Sequence, residues 1–441
     1  MKNSRTNRLK TVNAALKYVV IPLMLGLLLF LTVINVYPFV MDKSSPSHTL
    51  VISNTDSNIS KSDTSSPHYL VLDEPENTRN DCEEINEELR TQLDKLSKSY
   101  RSTAVQAAVI RNGVVCAYYN YGFADKDDKK PVTSETVFRA ASLSKLVDAM
   151  AVMKLSEHRV MDIDSDIGDY LGYRVRSKKF PDAIITPRML MVHTSGIIDS
   201  ENFLDSRNNH SSTPLKKLLL ESASYSGNCP GSEHSYSNFG IAVLTAAAEK
   251  ASNQPFYAYT EDEIFKPIGV RGSFLASRIK DSHTVACLYN PKGKVSYSVQ
   301  RQLNEACHEE LGQTHHIYQG NLTISAMDYA KLLCVLLNDG KDENGNQLLA
   351  PESVNEILKI QYQSGKKGCC LCNFTSDSIV EGRTMHYHTG SNFGMYSSFA
   401  FDTSDRSGVV VLSSGADAQK EKSGVYDICG DIIRTIYRSN V

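Results

Sequence analysis

Phe138-Arg139-Ala140-Ala141-Ser142-Leu143-Ser144-Lys145 decides how this chain is read, and an apolar run through Leu155 follows it. That run predicts a helix. If the helix begins at Ser142, then Ser142 and Lys145 share one face, with the hydroxyl at the helix N-terminus and the ammonium one turn on. A serine hydroxyl is a weak nucleophile near neutral pH and needs a base within hydrogen-bond reach, and a helix N-terminus favours negative charge developing beside it. Taken alone, Ser-x-x-Lys is more often an N-capping serine with a solvated lysine.

Its company changes the reading. Downstream come Pro230-Gly231, then Tyr236-Ser237-Asn238, and later His388-Thr389-Gly390-Ser391. A further stretch, Ile185-Thr186-Pro187-Arg188-Met189-Leu190, runs into His193-Thr194-Ser195-Gly196. In their order and rough separations these clusters resemble the three active-site motifs of penicillin-binding proteins and serine β-lactamases. From about residue 82 to 441 the chain is similar to the class C β-lactamase-related branch of that superfamily, which also holds D,D-peptidases, D-aminopeptidases and esterases.

The resemblance implies an α/β (α+β) fold. An antiparallel sheet lobe, flanked by N- and C-terminal helices, would carry an inserted all-helical lobe, with the site in the cleft between them. It also assigns roles. Ser142 would attack a carbonyl and become an acyl-enzyme, and Lys145 and Tyr236 would jointly carry its proton. Amine and phenol side chains both titrate at about 10 in water, so either needs burial or adjacent cations to act as a base. The backbone N–H groups of Ser142 and Ser391 would hold the oxyanion, where one preorganised donor is worth roughly 3 to 4 kcal/mol. Asn238 would present its amide to the substrate and to Lys145, Gly390 would let a substrate backbone lie close to the strand, and Thr389 would bond a terminal carboxylate.

His388 departs from the pattern, because most β-lactamases and penicillin-binding proteins have lysine there. A histidine is only partly charged near neutral pH, which makes it a weaker and pH-dependent counter-charge for a carboxylate. Histidine at this place also occurs in D-aminopeptidases and esterases of the superfamily, so the change lowers β-lactamase more than it lowers hydrolase.

Periodicity fits this frame. Asp81 is placed to cap a helix with Ile85, Leu89, Leu93 and Leu96 on one stripe. Thr103 to Ile110 and Val114 to Tyr121 read as strands joined around Asn112-Gly113, a strong hairpin signal. Met385 to His388, Met395 to Phe401 and Gly408 to Ser413 read as further strands, and Val425, Ile428, Cys429, Ile432, Ile433 and Ile436 form a closing helical stripe. From Ser142 to about Glu356 helical patterns dominate, with loops near residues 199–213 and 289–316. Leu322 to Leu337 reads as one helix with Asp328 and Lys331 on its polar side.

Lys2, Arg5, Arg8, Lys10 and Lys17, with no acid among residues 1–17, precede 23 uncharged residues from Tyr18 to Val40. As a helix that run spans about 34 Å, enough for a hydrocarbon core of about 30 Å. Secretory signals have shorter apolar regions ending in small residues, whereas this one ends Val36-Tyr37-Pro38-Phe39-Val40. The expectation is a cytoplasmic basic tail (1–17), an uncleaved single-pass signal anchor (18–40), an extracytoplasmic linker rich in Ser, Thr, Asp, Asn and Pro (41–80) and a hydrolase domain (81–441). Asn-x-Ser/Thr triplets at Asn58, Asn209, Asn321 and Asn373 are near what chance gives in 441 residues.

A net charge of -3 leaves no basic footprint for nucleic acid, and a hydrophobic content of 41% suffices for a sizeable core. His193-Thr194-Ser195-Gly196 reads as a structural helix end with Gly196 at the terminus, not a second His/Ser pair. Asp162-Ile163-Asp164-Ser165-Asp166 lacks the later glutamate of a calcium loop and reads as a solvated turn. Ten cysteines fit either disulfides or buried thiols. Cys369-Cys370-Leu371-Cys372 has no second cluster at zinc-finger spacing, and Cys429 sits on an apolar stripe. Neither metal nor cofactor is needed. The partners expected are a small-molecule or peptide substrate, such as peptidoglycan stem peptides or β-lactams.

Overall fold

The computed structural model describes residues 82–208 and 213–439. The expected span at 18–40, the linker at 41–80, the Asp81 cap and the triplets at Asn58 and Asn209 lie outside them. Among the described residues no helix is long and apolar enough to cross a membrane.

In chain order the framework is β1 (Glu83–Glu84), α1 (Glu87–Ser99), β2 (Ala104–Arg111), β3 (Val114–Asp125), α2 (Ser144–Glu157), α3 (Asn238–Ser252), α4 (Ala326–Leu337), β4 (Tyr362–Ser364), β5 (Lys367–Cys369), β6 (Phe374–Ser376), β7 (Met385–Asn392), β8 (Met395–Asp402), β9 (Ser407–Ser414) and α5 (Asp427–Arg438). These strands form one sheet in the order β1-β3-β2-β9-β8-β7-β6-β5-β4. Val410 of β9 pairs with Ala108 of β2, so the C-terminal strands complete a sheet begun near the N-terminal end of the domain. Every residue of β9 is buried, because both faces of the sheet are covered. Phe399 of β8 stacks on Tyr329 of α4, with ring centres 5.7 Å apart. Its neighbour Ser398 lies against Cys429 of α5. Successive strand residues point to opposite faces, so α4 and α5 cover opposite sides. α1 joins α5, tied by the Tyr100 hydroxyl donating to Asp431 at 2.6 Å.

The stripe on α1 is as the spacing predicts, with Ile85, Leu89 and Leu93 buried and Leu96 partly buried. Its cap is Asn86, whose side chain accepts from the Leu89 N–H at 3.0 Å; a cap belongs immediately before the first helical turn, which Asp81 does not reach. The β2–β3 hairpin turns at Asn112 (φ 52°) and Gly113 (φ 78°), the paired positive φ values of a tight hairpin. Cys429 is core, and the buried Asn321 and Asn373 are inaccessible as glycosylation acceptors. All ten cysteines are free thiols.

The inserted lobe is not all-helical. Phe138–Arg139, Thr323–Ile324 and Gly272–Ser273 make a three-stranded sheet, and Leu288–Tyr289 pairs with Val295–Tyr297. Strands of two or three residues are too short to show a period of two. The segments expected as loops contain helices Glu201–Asn208 and Val299–Leu303. α4 begins at Ala326, because Ser325 caps it by accepting from the Asp328 N–H at 3.0 Å and the preceding residues join the small sheet. Inside this lobe α2 and α3 are buried along almost their whole length, which fixes both as rigid supports.

Candidate active site

Ser142 sits in a 3-10 turn, Ala141–Leu143, and the α-helix proper begins at Ser144, two residues later than the spacing predicts. Ala141 holds a left-handed φ of 51°, unfavourable for a residue with a Cβ. The surroundings impose it: the Ala140 N–H donates to Leu322 O at 2.7 Å, Ser397 Oγ donates to Ala140 O at 2.7 Å, and Ser144 Oγ donates to Ala141 O at 2.7 Å. The neighbouring strand also needs a missing side chain. A Cβ on Gly390 would stand 2.8 Å from Ser142 N and 2.9 Å from Ala140 O. Gly390 therefore lets β7 press against the Ser142 turn.

Lys145 is fully buried. Its Nζ lies 3.1 Å from Ser142 Oγ, 3.0 Å from Asn238 Oδ1 and 2.6 Å from the Gln319 carbonyl. The last two are obligate acceptors and take two hydrogens, leaving the third tetrahedral position aimed at Ser142. A neutral amine would take the hydroxyl proton there, and an ammonium would donate to the alkoxide or ester oxygen. Asn238 cannot be turned round, because its Nδ2 donates to Asp199 Oδ2 at 2.8 Å and a carboxylate only accepts. The other oxygen of Asp199 accepts from Ser237 Oγ at 3.1 Å and from the Phe239 N–H at 2.8 Å. Asp199 thus holds the start of α3 and aims Asn238 at Lys145.

Tyr236 is 39% exposed and faces the cleft. Its ring lies 5.2 Å from Lys145 Nζ, 4.4 Å from the His193 ring and 6.2 Å from the His388 ring. His193 does more than end a helix. That helix stops at Met191 and Val192 caps it, so Gly196 is not its terminus. His193 takes a left-handed φ of 60°, accepts from the Ser235 N–H at 2.8 Å through its carbonyl and accepts from the Ser237 N–H at 3.3 Å through Nδ1. It fixes the backbone on both sides of Tyr236.

His388 is buried against Phe374, ring centres 5.3 Å apart. Nδ1 lies 2.9 Å from the Thr389 carbonyl and must donate to it, so Nδ1 carries the hydrogen. Burial, reinforced by the Lys145 charge, pushes its pKa down to about 3. The expected pH-dependent counter-charge is absent: His388 is neutral at physiological pH. The Thr389 hydroxyl donates to Ser397 O at 3.1 Å and accepts from Ser398 Oγ at 3.1 Å, so its bonding is internal. β6 pairs with β7 only over Met385 to Tyr387, so among the described residues no strand pairs with the edge from His388 to Asn392 on that side. Ser142, Tyr236, Asn238, His388, Thr389 and Ser391 all border one cavity of about 860 Å³. Among the described residues no group of His, Cys, Asp and Glu could hold a metal ion. The acidic turn is tied down locally, with Asp164 paired to Arg188 and Asp166 to Arg176.

A strained serine turn, a buried lysine and an amide fixed by a carboxylate, opening on a strand edge, are the parts of an acyl-transfer site. The Beta-lactamase family model matches residues 89–427, and the chain belongs to that family, whose members are serine hydrolases. Esterase EstB of Burkholderia gladioli is 26% identical over 194 residues, covering 41% of this chain and 48% of the esterase, so the chain spans about half of that relative. The octameric penicillin-binding protein homologue from Pyrococcus abyssi superposes with a TM-score of 0.60 at 20% identity, covering 74% of this chain and 73% of that one. A class C β-lactamase mutant superposes with a TM-score of 0.61 at 18% identity, covering 79% and 97%. At such identities the likeness establishes the fold.

Proposed function

We propose that this protein is a single-pass membrane-anchored serine hydrolase with an extracytoplasmic catalytic domain, and that it cleaves D-amino-acid-containing peptides of the peptidoglycan type through an acyl-Ser142 intermediate. The observation that carries the chemistry is Lys145 Nζ, held 3.1 Å from Ser142 Oγ by two further acceptors. Ser142 Oγ attacks the carbonyl while its proton passes to the Lys145 and Tyr236 pair. The leaving group takes that proton, and water then attacks the acyl-serine by the reverse route. The backbone N–H groups of Ser142 and Ser391 are the oxyanion donors in this scheme. The free edge of β7 suits an extended peptide, which would add as a strand. The basic segment and uncharged run of residues 1–40 support the anchor.

An esterase is the second reading, favoured by the neutral His388, which offers no cation for a carboxylate beside the scissile bond. Intact-protein mass spectrometry of the full chain with a penicillin tests the nucleophile. Wild type gains the acyl mass and Ser142→Ala does not. An adduct lasting hours points to a peptidase or to a sensor that acylates without turnover, and one lost in seconds points to a β-lactamase. Labelling of both proteins alike overturns Ser142. No labelling of either, with Ser142-dependent cleavage of short-chain esters, replaces the peptidase by the esterase. Protease added to intact cells digests the catalytic domain if it faces outward; protection of that domain overturns the topology.

A further inference from the structure

The wall of the cleft away from the nucleophile is basic. Lys366 and Lys367 from the β4–β5 hairpin, and Lys420 and Lys422 from the segment ahead of α5, border the same cavity as Ser142, and among the described residues Asp377 is the one carboxylate lining it. Among the described residues none of these four lysines forms a salt bridge, although the molecule carries a net charge of -3 and pairs many of its other cations. The Lys367 ammonium lies 4.1 Å from the centre of the Phe374 ring, and that ring in turn lies 5.3 Å from His388. Burial and the nearby Lys420 charge both push the Lys367 pKa down. Lys367 and Lys420 thus border one cavity, the first of them half-buried, and among the described residues neither is paired with a carboxylate. The position on β7 where the sequence resemblance calls for a cation holds a neutral ring.

We propose that the cleft selects acyl donors bearing an anionic group, a carboxylate or a phosphate, which docks on Lys367 and Lys420 with Lys366 and Lys422 beside them while the scissile carbonyl lies at Ser142. This inference rests on the acyl-serine reading and names the substrate class for it. The anion is held on the hairpin and the segment before α5, one aromatic ring removed from β7. A low-dielectric pocket lined by one sign of charge concentrates ligands of the other sign, by about tenfold or more in association rate.

The test compares esters that differ only in charge, using the full chain. Mono-4-nitrophenyl glutarate carries a carboxylate on the acyl side, 4-nitrophenyl valerate is its neutral counterpart, and 3-carboxy-4-nitrophenyl valerate carries the charge on the leaving group. At low ionic strength one of the anionic esters is hydrolysed with a kcat/KM at least tenfold above the neutral one, and the ratio shrinks as salt is raised. In Lys367→Gln/Lys420→Gln the ratio falls to about one. The ratio is internal to each preparation, so partial misfolding, which lowers both rates together, does not mimic the effect. Phenylacetate and phenyl phosphate as competitors distinguish the two anions, the better inhibitor naming the natural group. Ser142-dependent hydrolysis with no preference for either anionic ester in the wild type, or a preference that survives loss of both lysines, overturns the inference and leaves the acyl-serine reading standing. No Ser142-dependent hydrolysis of any ester overturns the inference, and overturns the acyl-serine reading as well where penicillin also fails to label Ser142.

Discussion

Asp199 does not border the cleft, yet the placing of Asn238 beside Lys145 depends on it. One oxygen accepts from Asn238 Nδ2 and the other from Ser237 Oγ and the Phe239 N–H. Asp199→Ala leaves the Asn238 amide free to rotate, so that Lys145 loses a fixed acceptor. Loss of a hydrogen bond to a charged group is worth about 1.5 to 3 kcal/mol, so kcat is expected to fall roughly 10- to 100-fold with KM little changed. Steady-state hydrolysis of a Ser142-dependent ester checks this. A KM-only effect would show that Asp199 acts on binding instead. Ser142, Lys145, Tyr236 and Asn238, which the fold brings together, were legible as a group in the sequence through their side-chain types, order and spacing. Asp199 was not, since a lone acid in a segment without periodicity announces nothing. Gln319 was invisible for a different reason: it acts through its main-chain carbonyl, which every residue has.

At the scale of elements, the site is the place where β7 meets the turn ahead of α2, and Gly390 sets their separation. In Gly390→Ala the new methyl would stand 2.5 Å from Ser397 Oγ as well as 2.8 Å from Ser142 N. The hydroxyl can rotate away, but the backbone of a buried turn cannot, so β7 must move. Overpacking of this kind costs about 1 to 3 kcal/mol. Displacing the strand also displaces Ser391 from Ser142, so acylation is expected to slow by more than about 100-fold, the scale of one misplaced oxyanion donor. Thermal unfolding and the rate of acyl-adduct formation measure the two effects, and a variant that acylates at the wild-type rate would refute this account of Gly390. The long elements were legible beforehand, because β2 and β3 flank a hairpin signal, β7, β8 and β9 are runs rich in apolar and aromatic residues, and helices α1, α4 and α5 repeat an apolar stripe. The short strands Phe138–Arg139 and Thr323–Ile324 were not, although their pairing anchors the chain just ahead of Ser142. The lysine wall escaped for a similar reason, since its members come from two segments far apart in sequence that only the fold brings to one cavity.

For the whole molecule, a net charge of -3 is small, so the pH dependence of stability is governed by buried groups rather than by global repulsion. His388 is held at about 3 by burial and by Lys145, and the fully buried His193 is pushed down by the same causes. A lowered histidine stays neutral in the folded chain while the unfolded chain takes up protons. Stability contributed this way is complete above about pH 6.5 and is lost as pH falls toward the folded value, by at most about 1.4 kcal/mol per pH unit for each group. Asp148 acts in the opposite sense. It lies on α2 three residues beyond Lys145, with neither carboxyl oxygen hydrogen-bonded among the described residues. Burial raises its pKa well above the usual carboxyl value, and the nearby Lys145 charge offsets only part of that rise. The folded chain keeps this proton while the unfolded chain loses it above about pH 4, so stability declines as pH climbs from there toward the folded value. Asp148→Asn removes the titration while keeping the shape. Denaturant unfolding is expected to find wild type and variant alike near pH 4 and the variant increasingly more stable toward pH 8. A gap that does not change with pH would mean that Asp148 is ionised in the folded protein, forming a buried pair with Lys145 that the present geometry does not contain.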